Sequence, residues 1–240
     1  MAENRASVYG EGVPCWVDAQ LPDVEAGKRF YGELFGWTFE DAVGTLVWAR
    51  KDGSPVATLG HKTDGRMPTV WTVYFATPDA AAMCRRILAA GGQVVTAPTR
   101  IEALGTAALA VDPAGAVFGL WQPGSHSGFG ARHEPGTFAW VQLYTRDTEE
   151  ANAFYGELFH DALFDADTEP DFGRAPVSDV FPAEMPSHFL VHFRVEDLDD
   201  ALEGVRGLGG RVQAPPFETS YGTVAVVTDN QGASFALLQR

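Results

Sequence analysis

Two histidines four residues apart, His188 and His192, stand in the run "HFLVHFRV". On a helix that spacing would suit a zinc pair. The run is rich in β-branched and aromatic residues, so it reads as a strand. There the two imidazoles share a face but stand roughly 13 Å apart, too far to share an ion. His61, His126, His133 and His160 fall in turns, element ends or a linker, where surface roles are the default. No nucleophile elbow, Cys–His pair or dinucleotide fingerprint occurs. The double glycines Gly91–Gly92 and Gly209–Gly210 end helices rather than open them, so they are not phosphate loops. The acid–base candidates that remain are Asp18 and His192. A carboxylate or imidazole beside aromatic walls can have its pKa moved toward neutrality. Ordinary hydrogen-bonded packing is the alternative for both.

The elements that must position these groups are legible from repeats. "FYGELF" occurs at Phe30–Phe35 and again at Phe154–Phe159, and Trp16, Asp23 and Phe30 fall on Trp140, Asp147 and Phe154 at the same offset of 124. A second repeat has an offset of 118 and brings Phe75, Asp79 and Val94 onto Phe193, Asp197 and Val212. The halves close alike on "DPAGAVFGLW" and "DNQGASFALL". The order is A-B-A′-B′. Each module opens with an alternating strand, continues with an Asp and a helix, and ends in three short strands. Asp23, Asp79, Asp147 and Asp197 lie where a side chain caps the helix, and four equivalent copies favour that structural role. Gly–Gly supplies the left-handed helix end in B and B′. The module is βαβββ.

A four-stranded sheet with one helix covers only one face, so modules pair into curved cups with helices outside. The fold class is therefore α+β: four βαβββ modules paired into two barrel-like cups. The predicted domains are residues 1–126 and 133–240, joined by the Gly- and Pro-rich stretch Gln122–Gly136. Strand alternation puts Val17, Leu21, Val73, Phe75, Val141, Leu143, Val191 and Phe193 on the helix-covered face. The complementary set lines the cups: Trp16, Asp18, Gln20, Thr72, Tyr74, Gly119 and Trp121 in the first, Trp140, Gln142, Tyr144, His188, Leu190, His192 and Ala236 in the second. Aromatic walls with a few polar groups suit a planar organic ligand. Rings that merely plug a collapsed cavity are the bland alternative.

Composition narrows the classes. Across 240 residues the formal net charge is −15, from 32 acidic against 17 basic side chains. No basic stripe exists to displace counterions from phosphates, so nucleic acid is not an expected partner. No apolar run approaches the roughly 18 residues of a membrane span, and "MAENRASVYGEG" has no apolar signal region. Cys15 and Cys84 read as buried thiols in a reducing cytoplasm. The expected partner is a small molecule, with a homodimer left open.

Paired βαβββ modules with "D…FY…LFGW" after the first strand and "DPxG" before the last resemble the vicinal oxygen chelate superfamily, which includes glyoxalase I, bleomycin-resistance proteins and extradiol dioxygenases. "CWVDAQLPDVEAGKRFYGELFGW" with "DPAGAVFGLWQP" is similar to a bacterial two-domain, glyoxalase-like subgroup often labelled "hydroxylase". The resemblance implies a divalent metal held by His, Gln or Glu on first and last strands. The corresponding positions here are Trp16, Thr72, Trp140, Leu190, Gly119 and Ala236, and none is a good ligand. "PVATLGHK" and "APVSDVF" show no matching Glu. No metal and no other cofactor is therefore expected, and Gly119 and Ala236 should leave room for a ligand. The functional expectation is a protein that binds a small aromatic or polycyclic metabolite in its cups. The alternative is an enzyme of aromatic or secondary metabolism, of hydroxylase, lyase or glyoxalase type.

Overall fold

The computed structural model describes residues 9–65, 68–164, 171–177 and 186–240. Most of the N-terminal stretch, and residues 178–181 of "APVSDVF", lie outside that set. Module A contains β1 (Pro14–Leu21), α1 (Val24–Phe35), β2 (Thr38–Asp41), β3 (Val47–Lys51) and β4 (Ser54–His61). Module B contains β5 (Trp71–Ala76), α2 (Ala80–Ala89), β6 (Gln93–Ile101), β7 (Gly105–Val111) and β8 (Val117–Pro123). In A′ come β9 (Phe138–Thr145), α3 (Thr148–Phe164) and β10 (Phe172–Pro176), and in B′ β11 (His188–Val195), α4 (Leu198–Gly207), β12 (Arg211–Thr219), β13 (Gly222–Thr228) and β14 (Ser234–Gln239). The strands form an eight-stranded sheet, β2-β3-β4-β1-β5-β8-β7-β6, and a six-stranded sheet, β10-β9-β11-β14-β13-β12. This is the α+β architecture expected.

Each helix begins where an aspartate can accept from its free amides. Asp23 accepts from Ala26 N–H, Asp79 from Ala82 N–H, Asp147 from Glu149 and Glu150 N–H, and Asp197 from Asp200 N–H, all at 2.9–3.0 Å. Helix α1 stops at Gly36, whose φ of 69° is left-handed.

By internal packing the chain divides into two compact units. One comprises Met1–Trp16, Val73–Gly128 and Val141–Phe189; the other comprises Val17–Thr72, Phe129–Trp140 and Leu190–Arg240. Their cores are built alike. In the first, Tyr155 packs edge-on against Phe118 and Phe189, and its hydroxyl donates to Asp112 Oδ2 at 3.0 Å. In the second, Tyr31 packs on Trp71 and Phe235 and donates to Asp229 Oδ2 at 2.8 Å. Asp112 also accepts from Ala116 N–H, and Asp229 from Gln231 and Ala233 N–H. The repeated "FY" thus joins a helix to the turn that precedes a final strand. Burial pushes both tyrosine hydroxyls well above their ordinary pKa, and the adjacent carboxylate adds to the shift, so both remain donors.

Each unit draws segments from both sides of the stretch 127–132. Residues 1–126 alone would leave Tyr31 without Asp229, and residues 133–240 alone would leave Tyr155 without Asp112. The two fragments expressed separately are expected to lack cooperative unfolding and to recover it on mixing. Cooperative unfolding of either alone would support the boundary expected from the sequence. Tyr31→Phe should cost about 1–3 kcal/mol in urea denaturation, because a hydrogen bond to a buried carboxylate is lost. An unchanged midpoint would show that this bond does not matter.

Candidate functional site

The turn between β12 and β13 supplies a ring that no periodic element announces. Tyr221 N–H donates to Thr219 Oγ1, Thr219 Oγ1–H donates to Gly222 O at 2.6 Å, and Arg240 Nε–H donates to Tyr221 O at 2.6 Å. Gly222 adopts φ 138° with its Cα facing Gln239 O, where a Cβ would approach to 2.4 Å. The turn is therefore held, and it lays Tyr221 against Trp140 with centroids 5.1 Å apart and planes 26° from parallel. His192 on β11 approaches the same Tyr221 ring at 6.1 Å and 73°.

His192 is fully buried. Its Nδ1 lies 3.0 Å from Leu190 O. A carbonyl only accepts, so Nδ1 carries the proton and Nε2 presents a lone pair. Nε2 is buried and has no hydrogen-bond partner among the described residues. Burial lowers the imidazole pKa to about 4, against a smaller opposing effect of the Leu190 carbonyl. The sequence expectation was a shift toward neutrality. For an imidazole, desolvation acts the other way, and His192 is a neutral acceptor at pH 7.

In the other unit, Trp16 meets the His126 ring edge-on at 4.3 Å, and Trp121 lies 5.7 Å from that ring. Trp121 Nε1–H donates to His126 O at 2.9 Å. The segment is pinned by Gly124 and His126 N–H to Leu104 O and by Ser125 N–H to Ala103 O. His126 is thus part of an aromatic cluster, not the free surface residue that its linker position implied. Trp121 lies over Gly105, where a Cβ would meet its ring at 2.7 Å. Tyr74 lies over Gly119, its partner across β5 and β8, where a Cβ would meet the ring at 2.2 Å. The space expected above Gly119 is filled by Tyr74. Tyr144 stacks on His188 at 5.6 Å and 26°, and Gln142 is buried on the same strand as Tyr144. Burial also lowers His188, whose Nδ1 lies 2.9 Å from Pro186 O.

The polar pair of the first strand lies in the unit that holds Tyr221. Gln20 Nε2–H donates to Asp18 Oδ2 at 2.9 Å, and the Gln20 amide covers Gly60, where a Cβ would come within 2.7 Å. Asp18 is buried and Thr72 half-buried. The structure thus joins Asp18 with Gln20, Trp16 with Trp121 through His126, and Trp140 with His192 through Tyr221. Leu190 contributes its carbonyl rather than its side chain. The strand positions Trp16, Thr72, Trp140, Leu190, Gly119 and Ala236 offer no carboxylate, imidazole or amide side chain. Among the described residues no group of three or more His, Cys, Asp or Glu is placed to hold an ion. The side chains at these six positions do not fit a divalent metal.

Residues 16–120 match the model of the Glyoxalase/Bleomycin resistance protein/Dioxygenase superfamily. The chain is 34% identical to "Putative glyoxylase CFP32" of Mycobacterium tuberculosis, covering 98% of this chain and 97% of that protein. The chain belongs to this superfamily. It is equally similar to the anthracycline biosynthesis protein DnrV of Streptomyces peucetius, at 34% identity over 96% of this chain and 94% of that one. Among solved structures, the Mn(II)-bound glyoxalase from Novosphingobium aromaticivorans superposes with a TM-score of 0.64 at 14% identity, covering 95% of this chain and 82% of that one. The 2,3-dioxygenase LapB from Pseudomonas sp. KL28 gives 0.67 at 14% identity, over 98% and 94% of the two chains. At such identity these two establish the fold alone. Among the described residues no helix is long and apolar enough to cross a membrane, and Cys15 and Cys84 are buried free thiols.

Sequence reasoning missed Tyr221 and His126 in this superfamily member because both ride on turns. Only the aromatic–glycine pair "YG" within a Thr-flanked turn hinted at the first.

The depressed His192 pKa has a measurable consequence. Between about pH 6.5 and 4 the unfolded chain takes up a proton that the folded site refuses, so stability falls as pH falls through that window. The contribution is on the order of 3 kcal/mol at about 1.4 kcal/mol per pH unit. His188 adds in the same direction. His192→Gln should flatten the slope, and NMR titration of wild type should show His192 neutral down to about pH 5. A midpoint near 6.5 would contradict the burial argument.

Proposed function

We propose that this superfamily member binds a planar aromatic or polycyclic metabolite, with the Trp140–Tyr221 pair as its wall, and does so without a divalent metal. The observation that carries the reading is the buried, neutral His192 beside that pair, with one nitrogen fixed by Leu190 and the other unused by the described residues. Aromatic rings give large contact area at low entropic cost, and a buried acceptor orients what stacks on them. The relative named for anthracycline biosynthesis supports a polycyclic ligand. The Trp16–His126–Trp121 cluster is a second aromatic surface of the same composition.

A catalytic reading is favoured by one observation, the buried Asp18 carboxylate held by Gln20. It makes Asp18 a better acid–base candidate than His192, whose low pKa leaves it a weak base. Loss of turnover in Asp18→Asn without loss of binding would establish it.

Isothermal titration with anthraquinone should show binding to the full chain. Trp140→Ala should weaken it by about 1–3 kcal/mol while leaving a substantial native fraction. Unchanged affinity with lowered stability would make Trp140 a packing plug. EDTA should change neither affinity nor melting temperature. A metal bound by the native state alone, at a hundredfold excess over its Kd, would contribute about 3 kcal/mol of stability. A drop restored by one divalent cation would overturn the metal-free reading.

A further inference from the structure

We infer that the ligand at the Trp140–Tyr221 wall is a phenol, an aromatic ring whose free hydroxyl donates to Nε2 of His192. The inference rests on the aromatic-binding reading above and specifies it. His192 can offer the wall only one kind of contact. Its Nδ1–H is committed to Leu190 O at 3.0 Å, so the available group is a lone pair on Nε2. A carbonyl, ether or halogen has no hydrogen to give and gains no bond there; a hydroxyl or N–H completes the pair.

The surroundings favour a donor on the ligand over one from the protein. Ala236 is the partner of His192 across the parallel strands β11 and β14, and it is a buried methyl without a polar atom. The Tyr221 ring meets the imidazole at 73°, so His192 is not a further layer of the stack but a group beside it. A ring parallel to Trp140 and Tyr221 carries its substituents at its edge, where such a group can be reached. A phenol is planar like the wall and donates through an edge hydroxyl. Amines protonated at neutral pH are less suited, since a charged donor would be desolvated against a neutral imidazole.

The test compares β-naphthol with its methyl ether by isothermal titration on the full-length protein. The phenol is expected to bind at least about tenfold more tightly than the ether, because the ether leaves the buried acceptor unpaired. In His192→Leu, which removes the acceptor, that preference should vanish. In wild type, the ¹⁵N resonance of His192 Nε2 should move on adding the phenol and stay fixed on adding the ether. That measurement keeps the idea testable if the variant does not fold. Equal affinity for phenol and ether, with an unmoved Nε2 signal, would overturn the phenol assignment and leave the aromatic wall standing. Failure of both probes and of anthraquinone to bind would remove the wall as a binding site and the inference with it.

Discussion

A buried tyrosine hydroxyl donating to a buried aspartate is the contact on which this structure depends, and it occurs twice. Tyr31 reaches Asp229, and Tyr155 reaches Asp112. Each aspartate is also the first residue of the turn that launches a final strand, and its carboxylate accepts from amides of that turn. One carboxylate therefore organises a turn and docks a helix. Leaving either partner unpaired in these aromatic cores would carry a desolvation cost comparable with a sizeable share of a domain's net stability. This is the physical reason for two copies of one hexapeptide. The repeat preserves a donor that must arrive at a fixed height above a strand end.

With helices and strand ends held, glycine decides what the sheet faces can carry. Gly119, Gly105 and Gly60 lie directly beneath Tyr74, Trp121 and Gln20, at distances a Cβ would violate. Large flat side chains can lie along the strands there instead of standing upright. Other superfamily folds of known structure include a Mn(II)-bound glyoxalase. Here the six strand positions Trp16, Thr72, Trp140, Leu190, Gly119 and Ala236 carry indole, hydroxyl or aliphatic side chains or are glycine. A shared fold does not fix the chemistry, which lies in the side chains.

Much of this was legible in the sequence because it is periodic. The four capping aspartates, the strand faces and the module order all follow from spacing, and the four caps are as expected. Period-2 alternation placed Val191 and Phe193 on the helix side and His188, Leu190 and His192 opposite. Nonperiodic features were not legible. Tyr221 is placed by a two-residue turn held by Thr219 and Arg240, and His126 by an amide bond to Leu104. Beyond the "YG" of the first, neither contact has a sequence signature. The direction of the His192 shift required its burial and its Leu190 partner. The packing units bring together Tyr31 with Asp229 and Tyr155 with Asp112, pairs 198 and 43 residues apart, and no local pattern announces them.

The central claim is that an aromatic wall with a neutral acceptor, and no metal, defines the site. A crystal structure of the untagged protein soaked with β-naphthol tests it most directly. The account predicts the naphthol ring parallel to Trp140 and its oxygen within hydrogen-bond distance, about 2.7–3.0 Å, of His192 Nε2. A ligand oxygen bound instead to an ion held between strands, or density only at a distant surface, would contradict it.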